Sequence, residues 1–330
     1  MKALKEFLES HFINFEQDID LKKRTWIHRG GICRFFIEPE SLEKIELISH
    51  YLFEKSIDFD VIGHTSNIWF SNDYSPNVIL STRKIQKIYF EDNFVVAYAG
   101  SLMTKLSSFC VENGIAGFEG FVDLPGTIGG AVCNNSGCFG SEIDKVLEKI
   151  EVITPNGKKI IETQELGYSH RNSNLKNKNQ KIIVIRAFFK KSTVSDMTKL
   201  KQKSELNHHI RKQTQCGPLQ NLGSVFAKLQ RKSYKTIIRE NGLKIGFSYI
   251  IIYNFWGVIK KITRNKIKIS KKRKDSILKL FNFSYLASYI SDSDLNRFIW
   301  SDEKADALFS DYCNFMDKIF EKKRLEIEIR

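Results

Sequence analysis

No two of the six cysteines form a C-x-x-C pair, and no cluster of histidines accompanies Cys33, Cys110, Cys133, Cys138, Cys216 or Cys313. That spacing indicates neither a zinc site nor a disulfide framework. Reduced thiols in a cytoplasmic chain are the simplest reading. No apolar run reaches the ~18 residues of a spanning helix. The nearest, residues 247–259, is shorter and carries Asn254. No G-x-G-x-x-G opens a helix after a strand, so a dinucleotide site of the doubly wound type is not supported. No repeat of fixed period is present. The first ten residues, M-K-A-L-K-E-F-L-E-S, are amphipathic and carry acids, unlike a signal peptide.

Positive charge, by contrast, is abundant. The 330 residues carry 52 lysines and arginines against 38 acids, a net charge of +14. Such a balance favours an acidic partner: nucleic acid, a membrane surface or a phosphorylated small molecule. Much of the excess lies in two runs, 199–212 and 260–274, each of which reads as a solvated face. The length predicts about two domains, and 42% hydrophobic residues suit ordinary globular cores.

Glycine is concentrated in one place. Residues 117–142, G-F-E-G-F-V-D-L-P-G-T-I-G-G-A-V-C-N-N-S-G-C-F-G-S-E, hold seven of the 19 glycines. Glycine permits positive φ and close approach of main chain to a ligand. Consecutive N–H groups in such turns can form a concave anion site, and Asn134 and Asn135 add amides that donate and accept. A lone glycine pair is ordinarily a tight turn between packed segments. This density predicts backbone cradling something flat, polar or phosphorylated.

Around that stretch the pattern predicts short strands and helices without strict βαβ alternation, hence α+β. A short helix and a polar connector fill residues 1–24. A Gly-Gly turn at Gly30-Gly31 runs into a strand ending at Ile37. Ser41 reads as an N-cap for a helix with Leu42, Ile45, Ile48 and Leu52 on one stripe. Strands are predicted at 59–62, 77–80, 87–90 and 94–98, and a helix at 102–113 with Gly114 after it. Asn156-Gly157 marks a hairpin. Residues 181–189 read as a strand and 196–211 as a basic helix. A helix ends at Asn241 and Gly242, and residues 244–296 read as irregular. Ser301 opens a last helix with Ala305, Leu308, Tyr312, Phe315 and Ile319 on one stripe. The terminal R-L-E-I-E-I-R reads as a strand, with Leu325, Ile327 and Ile329 on one face and Glu326 and Glu328 on the other.

Several separated motifs, in this order, together resemble one family. They are T-W-I-H-R-G-G at 25–31, V-I-G-H-T-S-N at 61–67, the long glycine stretch, Y-S-H-R-N-S at 168–173, L-G-S-V-F at 222–226 and L-E-I-E-I-R at 325–330. The chain resembles the UDP-N-acetylenolpyruvoylglucosamine reductase family of peptidoglycan synthesis over roughly residues 25–244 and 297–330. The resemblance implies bound FAD and NADPH as electron donor, with reduction of the enolpyruvyl ether of a UDP-sugar to a lactyl ether, giving UDP-N-acetylmuramate. It also implies an α+β chain with a two-part FAD-binding domain of the PCMH/vanillyl-alcohol-oxidase-like type and a C-terminal α+β substrate domain. The expected bounds are 1–72 for the first FAD-binding subdomain, completed by a C-terminal strand at 324–330, then 73–212 for the second. A substrate-binding domain at 213–323 follows, with an atypical basic insert at about 245–296.

Residue by residue, the resemblance implies that Gly63, Thr65, Ser66 and Asn67 form the first phosphate loop. Pro125, Gly126, Thr127, Gly129, Gly130, Asn134 and Gly137 form the second, all as FAD contacts. Ser224 matches the proton donor, Arg171 the arginine that binds the enolpyruvyl carboxylate, and Glu328 the terminal catalytic glutamate, with Glu326 the alternative on the same strand face. Arg211 is a candidate diphosphate contact and Lys228 a candidate for stabilising the Ser224 alkoxide. No metal, membrane span or nucleic acid is expected; the partner is the UDP-sugar. Departures are visible. Thr65 replaces a glycine, and the family's G-S-x-F-K-N-P has become G-S-V-F-A-K-L. Some fifty residues intervene after Lys244, and the family's later histidine and asparagine are absent. The alternatives are another FAD oxidoreductase of the superfamily, or a binding protein that retains the fold and uses the basic insert as a partner surface.

Overall fold

The computed structural model describes residues 1–177, 181–194, 196–215, 220–263, 266–321 and 324–330. Cys216 lies outside the described residues. The described contacts gather into two units, Met1–Ser66 with Asn72–Arg211, and Asn67–Ser71 with Lys212–Arg330.

The first unit opens with helix α1 (Lys2–Ser10) and strand β1 (Phe15–Asp20). The sequence shows only a polar connector there. Phe15, Gln17 and Ile19 alternate with acids, and β1 pairs antiparallel with β2 (Ile32–Ile37) at the edge of a four-stranded sheet. Helix α2 (Leu42–Glu54) starts where expected, with Ser41 Oγ accepting the Lys44 N–H at 3.2 Å. Its Ile45, Ile48 and Leu52 are fully buried. Strand β3 (Asp60–Ile62) follows, and the short β4 (Ile68–Trp69) belongs to the second unit. β5 (Val78–Ser81) lies between β2 and β3, parallel to both.

A five-stranded antiparallel sheet forms the rest of this core. It is built from β6 (Ile88–Glu91) and β7 (Phe94–Tyr98), which precede helix α3 (Met103–Glu112). The glycine-rich stretch then supplies α4 (Ile128–Cys133), a small hairpin of β8 (Gly137–Cys138) and β9 (Ser141–Glu142), and α5 (Ile143–Val146). β10 (Leu147–Thr154) and β11 (Gly157–Glu162) form the expected hairpin, closed at Thr154 and Gly157, where Gly157 takes φ +104°. β12 (Ile183–Lys190) completes the order β11-β10-β12-β7-β6. Helix α6 (Met197–Thr214) ends the unit's sequence.

The second unit holds β13 (Phe226–Ala227), β14 (Gln230–Arg231) and α7 (Tyr234–Asn241). The stretch that reads as irregular is in fact two long helices, α8 (Leu243–Ile262) and α9 (Lys266–Leu280). Helix α8 is apolar around most of its circumference and α9 is lysine-rich, so neither shows the one-sided stripe by which sequence periodicity reveals a helix. Helix α10 (Lys304–Ile319) buries Ala305, Phe309, Tyr312, Phe315, Met316 and Ile319, so Phe309 rather than Leu308 continues its inner stripe. It begins at Lys304, not at Ser301. Its core is aromatic: Phe298 lies 4.9 Å from Trp300, 5.0 Å from Tyr312 and 5.4 Å from Phe309, centroid to centroid.

The C-terminus is not one continuous strand. β15 (Phe320–Glu321) pairs with β14, β16 (Arg324–Leu325) with β13, and β17 (Glu328–Ile329) runs parallel to β4. The chain changes partner at Glu326 and Ile327, which breaks the two-residue alternation. Ile327 is buried, whereas Leu325 and Ile329 are 40% and 45% exposed.

Candidate functional site

In the first unit, the turn after β3 faces the loop before α4. A Cβ on Gly63 would stand 2.1 Å from Thr127 Oγ1, and one on Gly126 would stand 3.0 Å from Ser66 Oγ. Gly126 itself takes φ +119°. The two loops that the sequence separates by sixty residues are therefore one feature. Thr65 sits at φ +55° despite its branched Cβ, a conformation that costs about 1–3 kcal/mol. Its Oγ1 accepts the Trp26 N–H at 2.8 Å, and the Trp26 ring lies 5.1 Å from His64. The Thr25–Gly31 motif thus braces the first loop in the strained form. Burial, then the charge of Arg83, lowers the His64 pKa and favours its neutral form.

Helix α4 begins against the end of β7. The Ile128 N–H donates to Ser101 O at 2.9 Å and the Gly129 N–H to Ala99 O at 2.8 Å. Those two amides are occupied by the fold, and Gly129 is needed for its 3.2 Å approach to Ala99 Cβ. Two buried polar atoms of the stretch have no protein partner, Thr127 Oγ1 and Asn134 Oδ1. Buried polar atoms are nearly always paired. An unpaired hydroxyl beside the Gly63–Gly126 cradle, with an amide oxygen one short helix away, suits a ligand rich in hydrogen-bonding oxygens and hydroxyls, as FAD is.

The Tyr168–Ser173 motif is fastened to the far end of α4. Tyr168 Oη donates to Val132 O at 2.9 Å, Ser173 Oγ to Cys133 O at 2.7 Å, and Asn135 Nδ2 to Ser169 O at 3.3 Å. Burial pushes the Tyr168 phenol up, so it remains a donor. The loop delivers Arg171, at φ +56°, to Gly137, where Arg171 Nη2 donates to the carbonyl at 2.6 Å. Gly137 has no room for a side chain: a Cβ would meet Glu142 Cγ at 2.5 Å and lie 3.4 Å from Arg171 Nη1.

Helix α6 lies over the same stretch. Lys203 Nζ bonds Glu119 Oε1 at 2.6 Å, Asn207 Nδ2 bonds Glu119 O at 3.0 Å, and Arg211 Nη2 lies 2.9 Å from Cys138 Sγ. These three residues recur every fourth position and share a face. The expected solvated face is therefore only half solvated, and Arg211 is 6% exposed.

The second unit holds Asn67, Ser224, Lys228 and Glu328. Ser224 follows Gly223, which takes φ +79°. The strand behind it is clamped: Val225 N–H donates to Asn296 O at 2.9 Å, and the Glu326 N–H donates to Val225 O at 2.8 Å. The Asn296 side chain bonds both the N–H and the carbonyl of Phe226. Asn67 is engaged with the C-terminus, its Nδ2 donating to Glu326 O at 3.1 Å and its carbonyl accepting the Glu328 N–H at 2.9 Å. The Glu328 carboxylate lies 3.7 Å from Arg330 Nη2. Lys228 is exposed at φ +52°.

Sequence reasoning missed Trp26, Tyr168, Ser173, Asn207 and Asn296 as supports. Each acts through a partner at least 30 positions away, so local pattern carries no signal of it. Cys33 and Cys110 are buried free thiols, and burial pushes the Cys33 thiol up to about 11.

Residues 33–163 match the FAD binding domain family. The chain is 30% identical to a UDP-N-acetylenolpyruvoylglucosamine reductase of Caldicellulosiruptor bescii, over 72% of this chain and 76% of that one. It is 32% identical to the enzyme of the same name from Rickettsia massiliae, over 70% and 79%. The crystal structure of UDP-N-acetylenolpyruvylglucosamine reductase from Thermus caldophilus is similar in fold, with a TM-score of 0.62 at 18% identity, over 96% of this chain and 98% of that one.

Proposed function

This chain belongs to the UDP-N-acetylenolpyruvoylglucosamine reductase family, and on that premise we propose how its own residues divide the work. It is an FAD-dependent oxidoreductase of peptidoglycan precursor synthesis that reduces UDP-N-acetylenolpyruvoylglucosamine. NADPH is the proposed electron donor and UDP-N-acetylmuramate the product. The observation that carries this reading is the meeting of Gly63 with Thr127 and of Ser66 with Gly126. That contact joins the two motifs matched to FAD, within a chain 30% identical to reductases over most of its length.

The Gly63–Ser66 and Pro125–Thr127 loops, with Gly130 and Asn134, hold FAD in this proposal; Gly129 and Gly137 shape the loops, and Asn67 anchors the C-terminus beside them in sequence. Those residues would hold FAD, which would supply hydride for the terminal carbon of the enolpyruvyl double bond. Negative charge then develops on the neighbouring carbon and in its carboxylate. Arg171 holds that carboxylate through two parallel hydrogen bonds, which suit guanidinium geometry, and stabilises the enolate. Ser224 Oγ gives its proton to the carbon as general acid. Glu328 serves as the terminal catalytic carboxyl, with Glu326 two residues away as the competing assignment. Arg211 and Lys228 are assigned to the phosphates and the serine alkoxide. The FAD-binding portion is proposed to comprise 1–72, 73–212 and the C-terminal residues 324–330, and the substrate domain 213–323.

Among the described residues no helix is long and apolar enough to cross a membrane. We propose a cytoplasmic enzyme whose small-molecule partner is the UDP-sugar, with no role for nucleic acid. Steady-state oxidation of NADPH by the FAD-loaded protein tests the reading. Oxidation that requires the enolpyruvyl UDP-sugar and stops with UDP-N-acetylglucosamine supports it. Flavin reduction that no UDP-sugar discharges would favour another oxidoreductase of the superfamily.

A further inference from the structure

Helix α8 carries a second, unexplained feature. Its inner face is fixed in the second unit: Gly246 lies against Ile238, the Tyr249 ring lies tilted 6.0 Å from that of Phe281, and Trp256 Nε1 bonds Ser276 Oγ at 3.3 Å. Its outer face is open and mostly apolar, interrupted by the exposed Asn254. Leu243, Phe247, Ile251, Phe255, Val258 and Ile262 are 67%, 55%, 68%, 56%, 59% and 76% exposed. At 100° per residue they fall within one arc of about 120° along a helix of roughly 30 Å. Isolated exposed apolar side chains are normal, but a row of six is a binding surface.

Charge identifies what the row meets. Residues 243–280 contain eleven lysines and arginines and a single aspartate. Lys244 and Lys261 bracket the apolar row, and Lys268, Lys271, Lys272 and Lys279 are exposed on the adjoining α9. Two copies of this segment placed face to face would bring their positive charges together, which opposes self-association. An anionic bilayer surface accepts both features at once, taking the apolar row to the depth of the acyl boundary and the lysines at the headgroups. We propose that the α8–α9 hairpin is a peripheral membrane anchor that lies on an anionic lipid surface without crossing it. Phe247, Ile251 and Phe255 lie on successive turns of that row.

The test is co-sedimentation of the full, FAD-loaded chain with vesicles of phosphatidylglycerol and phosphatidylcholine at 3:7, and with phosphatidylcholine alone, roughly at physiological ionic strength. The expected result is binding to the anionic vesicles at least about tenfold tighter than to neutral ones, weakened by high salt. The triple variant Phe247→Ser, Ile251→Ser, Phe255→Ser and the quadruple variant Lys261→Gln, Lys268→Gln, Lys271→Gln, Lys272→Gln should each lose about tenfold or more. Both should keep their flavin spectrum and turnover without lipid, which shows that they fold. The proposal is overturned by wild-type protein that stays in the supernatant, by equal binding to neutral vesicles, or by a triple variant that binds as the wild type does. It is also overturned if the row instead forms a dimer that the triple variant dissociates, or if the segment binds single-stranded RNA and no vesicle.

Discussion

Asn296 grips Phe226 with both ends of its amide: Oδ1 accepts the Phe226 N–H at 2.9 Å, and Nδ2 donates to the Phe226 carbonyl at 2.7 Å. A residue 70 positions further along the chain thereby fixes the strand that follows Ser224. Removing the amide leaves two backbone groups unsatisfied, at about 1–3 kcal/mol, and frees the serine to wander. Small displacements of a reacting group reduce rate steeply. Asn296→Ala is expected to slow substrate reduction about tenfold or more while leaving flavin reduction by NADPH unchanged. Stopped-flow measurement of the two half-reactions checks this, and equal slowing of both would contradict it.

Thr65 supplies a second prediction. Its positive φ is strained, and its hydroxyl accepts the Trp26 N–H. Thr65→Gly relieves strain of about 1–3 kcal/mol but loses a hydrogen bond worth about 0.5–1.5 kcal/mol and gains chain entropy on unfolding. The net change in stability is expected to stay within about 1 kcal/mol. Thr65→Val keeps the strain and loses the bond, so it should be less stable than Thr65→Gly. Urea unfolding of the two variants gives the order directly.

These residues also show where the sequence was legible. Features with a local physical cause could be read in place: the Ser41 cap, the Asn156-Gly157 turn, and the glycine stretch, where Gly126 takes φ +119°. Features made by distant partners could not. β1 is visible only once β2 lies beside it. Helix α8 hides because its outer face is as apolar as its inner one. The terminal segment does not keep one face because the N–H groups of Glu326 and Glu328 donate to different neighbours, Val225 and Asn67. Steric preference alone disfavours the positive φ of Thr65. Trp26, 39 residues earlier, overrides that preference.

The Gly63–Thr127 contact, proposed to hold FAD, gives a third prediction. A Cβ on Gly63 would fall 2.1 Å from Thr127 Oγ1, so Gly63→Ala must rotate or displace that hydroxyl. Thr127→Val removes it. Both variants are expected to lower FAD affinity about tenfold, the worth of one lost hydrogen bond to a charged or polar ligand. Fluorescence titration of the apoprotein with FAD measures this. Unchanged affinity in both would remove Thr127 from the cofactor site.

A fourth prediction concerns acid. Burial raises the Glu119 pKa, but Lys203 and the Gly117 and Glu119 amides outweigh it, and the carboxyl ends below its ordinary value. A depressed carboxyl stabilises the fold above the unfolded pKa, and that contribution is lost as pH falls through the lower folded value. Wild type should therefore exceed Glu119→Gln in stability by a constant margin at neutral pH. The margin should shrink as pH falls below about 4.3, the ordinary glutamate value. Thermal melts of both proteins across pH 3–7, an interval chosen around that value, check the sign; a margin that grows in acid would refute it.

The most direct measurement is an anaerobic mixing experiment on wild type and Ser224→Ala. NADPH is added first and the enolpyruvyl UDP-sugar second, while the yellow flavin band is followed. The account predicts that both proteins bleach at similar rates. Colour then returns promptly in wild type and about a hundredfold or more slowly in the variant, the usual loss on removing a general acid. Prompt return of colour in Ser224→Ala would contradict the assignment of the proton to Ser224. No bleaching of the wild type, with FAD bound, would contradict NADPH as the donor.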